Sequence, residues 1–257
     1  MNSFTPAVLA LTRREVVRFL RQRNRVVGAL ATPLVFWFLI GSGVGRSFSG
    51  AGGSASYLQY FFPGTLLLII LFTAIFSTIS IIEDRREGFL QGVLVSPIPR
   101  SAFVLAKLLG GTLLSLLQCV LLYGLAAAMG LPATPGGFLL FLAAVVLLGL
   151  GLTALGYLIA WPLDSTQGFH ALMNLVLMPL WFLSGALFPP GGAAGWLRAL
   201  MAVNPLSYGL ELLRASLNPH APAAVSLPAA LAVTALFALA LGWACAAMTE
   251  KRGARHP

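Results

Sequence analysis

The side chains that most often carry catalysis are sparse in this chain. Its three histidines, His170, His220 and His256, belong to no H-E-x-x-H pattern, and no G-x-S-x-G is present. Zinc hydrolysis and acyl transfer therefore lack their usual residues. The two lysines, Lys107 and Lys251, lie outside any G-x-x-x-x-G-K-S/T loop, so the chain has no phosphate-binding loop of its own. Cys119 and Cys245 sit in apolar runs without metal-ligand spacing and read as small packing residues. No metal site is expected.

What remains able to act is charge in two places. Six of the sixteen basic residues fall between Arg13 and Arg25. Among them Arg14, Arg18, Arg21 and Arg25 recur at helical spacing and form one basic stripe, with Leu9, Val16, Leu20 and Val27 on the opposite face. Residues 5–25 thus predict an amphipathic helix lying along the cytoplasmic membrane interface, its stripe meeting anionic lipid rather than nucleic acid. The second place is the stretch from Glu83 to Arg100. It opens with mixed charge, continues through Phe89, Leu90, Val93 and Leu94, and stops at Pro97 and Pro99. That spacing puts the four apolar groups on one face of a two-turn helix, which the prolines end. Such a helix, held between two spans, suits a partner that pushes on it, or a loop lying on headgroups.

The elements that position these segments follow from composition. Of 257 residues 58% are hydrophobic and 9% charged, with a mean hydropathy of +0.90. A soluble domain carries about 25% charged residues, so the bilayer is the solvent. The fold class is all-α and polytopic, with six spans of about 20 residues: 26–44, 60–82, 102–129, 138–161, 169–188 and 229–248. Residues 1–25 form the interfacial segment and 26–257 the transmembrane domain. Within the latter, 83–100 is a cytoplasmic loop, and 189–228 an external segment with apolar stretches too short to cross.

Lys and Arg counts set the orientation. One side holds the six N-terminal arginines, Arg85, Arg86, Arg100, Lys107, Lys251, Arg252 and Arg255; the other holds Arg46, Arg198 and Arg214. Both termini are therefore expected in the cytoplasm. A cleaved signal peptide ending near Ser54-Ala-Ser56 is disfavoured by its long polar start.

Polar residues inside spans carry weaker signals. Thr73 and Ser77 on the second span, and Gln118 on the third, read first as helix–helix hydrogen bonders and second as lining of a pathway. His170 and Asn174, one turn apart, read as packing. Glu211 and Arg214 read as a modest ion pair, and Asp164 as a solvated turn residue.

The stretch from Glu87-Gly-Phe-Leu-Gln-Gly-Val-Leu-Val-Ser-Pro-Ile-Pro-Arg100 to Lys107 resembles the signature of the ABC-2 type permeases. Asn204-Pro-Leu-Ser-Tyr-Gly-Leu-Glu-Leu-Leu-Arg214 resembles that family's segment between spans five and six. The basic start, the span count and the length fit as well, so the resemblance covers essentially the whole chain. These permeases are membrane subunits of ABC exporters for drugs, nodulation factors and O-antigen or capsular polysaccharides. The resemblance implies two copies of this chain, a homodimer in the bacterial inner membrane, joined to two copies of an ATP-binding subunit that holds the ATP and Mg. It implies that Gly88, Phe89, Leu90 and Pro97, with Glu87 and Arg86 setting register, form a coupling helix docked on that subunit. It implies re-entrant helices over 192–218, with Asn204, Pro205, Tyr208 and Arg214 as an external gate.

Rival readings lack their residues. An ion-coupled transporter usually leaves charged groups near the midplane, whereas every acid here falls in a loop or at a span boundary. A membrane-embedded enzyme lacks the motifs above, and a passive channel leaves the coupling segment unexplained. No motif selects the substrate beyond an amphipathic drug, lipid or lipid-linked glycan.

Overall fold

The computed structural model describes residues 4–48, 57–128, 130, 134–219 and 224–253. Ten α-helices account for most of them: α1 Phe4–Arg21, α2 Arg23–Phe48, α3 Tyr57–Arg86, α4 Phe89–Val95, α5 Arg100–Ala128, α6 Pro135–Ala160, α7 Thr166–Phe182, α8 Gly195–Val203, α9 Pro205–Leu217 and α10 Leu227–Gly253. Among the described residues there is no strand.

The apolar run of α3 has no polar face to offer water, and it takes the centre of the bundle. Phe61, Leu66 to Leu71, Ala74 and Ile82 are all buried, as expected of a helix hydrophobic all round. It packs against α2, α5, α6 and α7, while α10 lies on α6 and α9. The chain is therefore a multi-pass helical membrane protein. Small residues bring α3, α5 and α6 together, the usual means of helix association in lipid. Gly111 sits so close to α6 that a Cβ there would lie 2.6 Å from Thr153 Oγ1, and one at Gly156 would lie 2.7 Å from Thr78 Oγ1. Two threonine hydroxyls along these contacts are satisfied on their own helices, while that of Thr153 has no hydrogen-bond partner. Thr78 donates to Ala74 O and Thr112 to Leu108 O, each at 2.7 Å. Thr73 donates to Gln118 Oε1 at 3.0 Å and ties α3 to α5.

Five helices, α2, α3, α5, α6 and α10, are long and apolar enough to cross a membrane. The expected fifth span is shorter than the sequence reading gave it. α7 has 17 residues, contains Pro179 and ends at Phe182 instead of 188. Beyond it the chain turns through Gly185, whose φ of 85° suits a residue without Cβ. Its helix rises about 26 Å, just under the ~30 Å hydrocarbon core. It still runs from one end of the bundle to the other: its start adjoins Asp164, which meets Arg85 of α3, and its end donates Trp181 Nε1 to Gly64 O near the start of α3, at 2.9 Å.

The basic residues sort as the charge count expected. Arg14, Arg18, Arg25, Arg85 and Lys107 gather at the end where α3 finishes and α5 begins. Arg100 also reaches Glu250 O of α10, at 3.3 Å, at this basic end. Arg214 lies at the opposite end beside Gly185 and Tyr60. The side chain of Arg46 is outside the described residues, as are the full course of 49–56 and 220–223.

Candidate functional site

At the basic end, α1 folds against α5 and α3 and turns Arg14, Glu15 and Arg18 inward. Ala7 and Val8 pack on Ala102, and Phe19 packs with Ala29 and Leu114. The positions between them, Thr12 and Glu15, are buried as well. This corrects the expected disposition of α1: its buried face is 7, 8, 12, 15 and 19, while Leu9 and Leu20 are exposed.

Asp84 is the centre of the site. Its side chain is 0% exposed, and its carboxylate accepts from three cations. Arg14 Nη2 lies 2.8 Å from Oδ1, Arg18 Nη1 2.6 Å from Oδ1, and Lys107 Nζ 2.5 Å from Oδ2. Lys107 also reaches Glu15 Oε1 at 2.9 Å and donates to Ser80 Oγ at 2.9 Å. Ser80 in turn donates to Glu15 Oε2 at 2.8 Å. Around this core Arg18 meets Glu83 at 2.8 Å and Glu87 at 3.3 Å, and Arg25 meets Glu83. Arg14, Arg18, Arg25 and Lys107 thus balance Glu15, Glu83, Asp84 and Glu87, charge for charge. An isolated charge in such a place is strongly disfavoured; paired and hydrogen-bonded groups are tolerated. Burial pulls the Arg14 pKa down, but the hydrogen bond and charge of Asp84, with Glu15, outweigh it and raise it above its ordinary value. The network joins α1, α2, α3 and α5 through their side chains.

Three of the four stripe arginines are therefore turned to carboxylates of α1 and α3, not to lipid. The exception is Arg21, which is exposed. Sequence reading found the stripe but missed Glu15, Asp84 and Lys107. A signal existed in Lys107, a lysine closely flanked by apolar residues in a chain with two lysines.

The segment expected to couple to a partner begins where α3 stops. Gly88 takes φ 76° and caps α4 without a side chain, a left-handed turn that favours glycine. The Phe89 ring lies under the Arg14 guanidinium, 3.6 Å from ring centroid to Cζ, so α4 is joined to α1 and the charge network. Leu90 is buried in the main core, and Val93 packs against it. The apolar face of α4 is thus turned to the bundle, and Leu90 is not free to meet a partner. Its outward side carries Glu87, Gly88, Gln91, Gly92 and Val95, with Pro97 exposed beyond it; Val95 is 86% exposed. Arg86, expected to set the register of α4, instead gives Nε to Asp164 O at 2.9 Å. Arg85 donates to Leu163 O and pairs with Asp164 Oδ1, both at 2.8 Å. The two arginines cover carbonyls left unpaired just past the end of α6, and Asp164, solvated as expected with its side chain 84% exposed, also pairs with Arg85.

At the opposite end Asn204 caps α9, its Oδ1 accepting from Leu206 N at 3.0 Å while Nδ2 donates to Leu180 O at 2.6 Å. Pro205 occupies the first turn of α9. Tyr208 OH donates to Ala202 O at 2.8 Å and fixes the α8–α9 angle. Arg214 donates to Gly185 O at 2.6 Å and Tyr60 OH at 3.0 Å, and stands 3.7 Å from Glu211. Of the four residues expected at an external gate, Arg214 braces α9 to α3 and the turn after α7, Asn204 ties α9 to α7, Tyr208 ties it to α8, and Pro205 starts it.

Thr73 and Gln118 face each other inside the α3–α5 contact. Ser77 donates to Ala74 O and borders a narrow crevice with Glu15, Ser80, Lys107 and Phe76. Phe76 lies between α2 and α7: a Cβ at Gly28 would be 3.3 Å from its ring, and His170 stands edge-on with centroids 5.9 Å apart. Asn174, read as packing, is exposed on α7, as is Gln167.

Comparison with known proteins points to one kind of molecule. The family model described as ABC-2 type transporter matches residues 6–218. The chain is 26% identical to the transport permease ycf38 of Cyanophora paradoxa, covering 82% of this chain and 74% of the relative. It is 28% identical to nodulation protein J of Rhizobium leguminosarum bv. trifolii, over 76% and 74%. The daunorubicin resistance ABC transporter permease protein DrrB1 of Streptomyces coeruleorubidus is 23% identical, over 78% and 71%.

Proposed function

The chain belongs to the ABC-2 type transporter family as a membrane permease of the ABC exporter kind, and from that premise we propose the following working unit. Two copies of the chain pair with two copies of an ATP-binding subunit, which holds the ATP and Mg. The pair moves an amphipathic drug, lipid or lipid-linked glycan out across a bacterial cytoplasmic membrane. The basic end, carrying both terminal helices, faces the cytoplasm and its anionic lipids.

The observation that supports this reading best is the join between α4 and the charge network. Phe89 under Arg14, and Arg14 on Asp84, link α4 to α1, α3 and α5. A subunit bound to the outward side of α4, at Gln91, Gly92 and Val95, would move the bundle helices and not just a loop. Glu87, Gly88 and Pro97 border that surface, while Leu90 supports it from beneath. Asn204, Pro205, Tyr208 and Arg214 would hold the external end shut. The substrate path we place beside α7, where Asn174 and Gln167 are exposed polar groups, with Ser77 at its cytoplasmic end; Thr73 and Gln118 hold its wall together.

Ion coupling is poorly served. The buried acids lie at the two ends of the bundle, Glu15 and Asp84 at one and Glu211 at the other, each paired with a cation, whereas an ion relay wants acids near the midplane. Val95→Asp tests the docking surface: it should leave the chain in the membrane and abolish capture of the ATP-binding subunit. Retained capture would remove α4 from the docking surface.

A further inference from the structure

The charge network leaves a remainder. Among the described residues, Arg13, Arg21 and Arg23 form no ion pair, and all three are exposed, with Asn24 beside them. Arg21 and Arg23 flank Gln22, the break where α1 gives way to α2. The acid of α1, Glu15, is turned inward, so the outward surface of the elbow is cationic without an acid to offset it. Leu9, Val17 and Leu20 share that surface.

The elbow leads directly onto an apolar track. Val27, Ala31, Val35 and Phe38 follow at one-turn spacing along the uncovered side of α2. From Val27 to Phe38 the helix rises roughly 16 Å, about half of the ~30 Å hydrocarbon core. Arginines at the head of a strip one leaflet deep match an anionic headgroup followed by its acyl chain. Guanidinium groups suit phosphate through paired hydrogen bonds, and interfacial cations favour anionic leaflets.

We propose that the α1–α2 elbow is a binding site for an anionic phospholipid of the leaflet at the basic end. Arg21 and Arg23 hold the phosphate, Arg13 adds charge, and Val27, Ala31 and Val35 carry the acyl chain. The site deepens the assignment of that end to an anionic leaflet and rests on it. It replaces the lipid-facing stripe expected from periodicity, because Arg14, Arg18 and Arg25 are held by Asp84 and Glu83. A protein partner on this surface is disfavoured because its cations pass without interruption into a column fit for hydrocarbon.

The test uses the full-length chain in neutral detergent, titrated with phosphatidylglycerol or with phosphatidylcholine of the same acyl chains. Bound lipid is counted by native mass spectrometry. The wild type should retain phosphatidylglycerol at least about tenfold better, roughly 1.4 kcal/mol. R21Q/R23Q should bind the two lipids equally, R21K/R23K should restore part of the preference, and R198Q, at the opposite end, should keep all of it. Soluble glycerol phosphate should not displace the lipid. Absence of a preference in the wild type, its persistence in R21Q/R23Q, or displacement by glycerol phosphate would each overturn the site. So would R21Q/R23Q losing the ATP-binding subunit while keeping its lipid preference, which would make the elbow a protein-docking surface. Bound lipid is read without ATP or export, so a failure here is separate from a failure of the exporter assignment.

Discussion

Lys107 and Asp84 meet across the α3–α5 contact, Nζ 2.5 Å from Oδ2, with both side chains sealed from solvent. Asp84 is tolerated there by Lys107 together with Arg14 and Arg18, and Lys107 by Asp84 together with Glu15. Breaking a buried pair costs about 3–5 kcal/mol when the other charge is left alone, and the remaining partners here should hold the loss to the lower part of that range. Lys107→Met and Asp84→Asn should each lower the thermal midpoint of the detergent-purified chain. The double variant should lose less than the sum of the two, by about 0.5–3 kcal/mol of coupling. Additive losses would show that the contact carries no such energy.

The two halves of α4 should separate in mutagenesis. Leu90→Ala removes a core side chain and should cost about 2–5 kcal/mol of stability, seen as a lower midpoint and less folded protein. Val95→Asp touches only the outward side, so the midpoint should stay within about 0.5 kcal/mol of the wild type. Loss of folding in Val95→Asp would place that residue in a contact within the chain.

Much of this arrangement was legible from residue order. Continuous apolar runs located α2, α3, α5, α6 and α10 to within a few residues, since length and hydropathy alone decide a span. The end of α7 was not legible, because Leu183-Ser-Gly-Ala-Leu-Phe188 is nearly as apolar as the helix before it. What stops the helix is the turn at Gly185 and the capture of its carbonyl by Arg214. The basic stripe was legible as a stripe, but not its partners. Asp84 lies 70 residues from Arg14 and 23 from Lys107, and periodicity says which residues share a face without saying what that face meets. The same limit applied to Leu90, whose face was right and whose direction was inward.

Close packing at Gly111 gives a third expectation. A Cβ there would come within 2.9 Å of atoms of both Thr153 and Ser77. Gly111→Ala should therefore destabilise the chain by about 1–3 kcal/mol through overpacking. Adding Thr153→Ala should restore part of the lost thermal midpoint by removing the hydroxyl and methyl it meets. A neutral Gly111→Ala would mean that α5 and α6 can separate at no cost.

At the opposite end, Arg214→Met should release Gly185 O and Tyr60 OH while leaving the helix otherwise apolar. A cysteine placed at Ser184, buried in the wild type, should then react at least several-fold faster with a thiol reagent. Unchanged reactivity would show that the arginine does not hold the turn closed.

The exporter assignment is tested most directly by translocation in proteoliposomes. The probe is a fluorescent phospholipid analogue, and the liposomes contain the chain with or without its ATP-binding subunit. Movement of the probe is expected only when the subunit, ATP and Mg are all present, and none from the chain alone under a proton or sodium gradient. Gradient-driven movement by the chain alone, at the same rate with and without nucleotide, would contradict the exporter assignment.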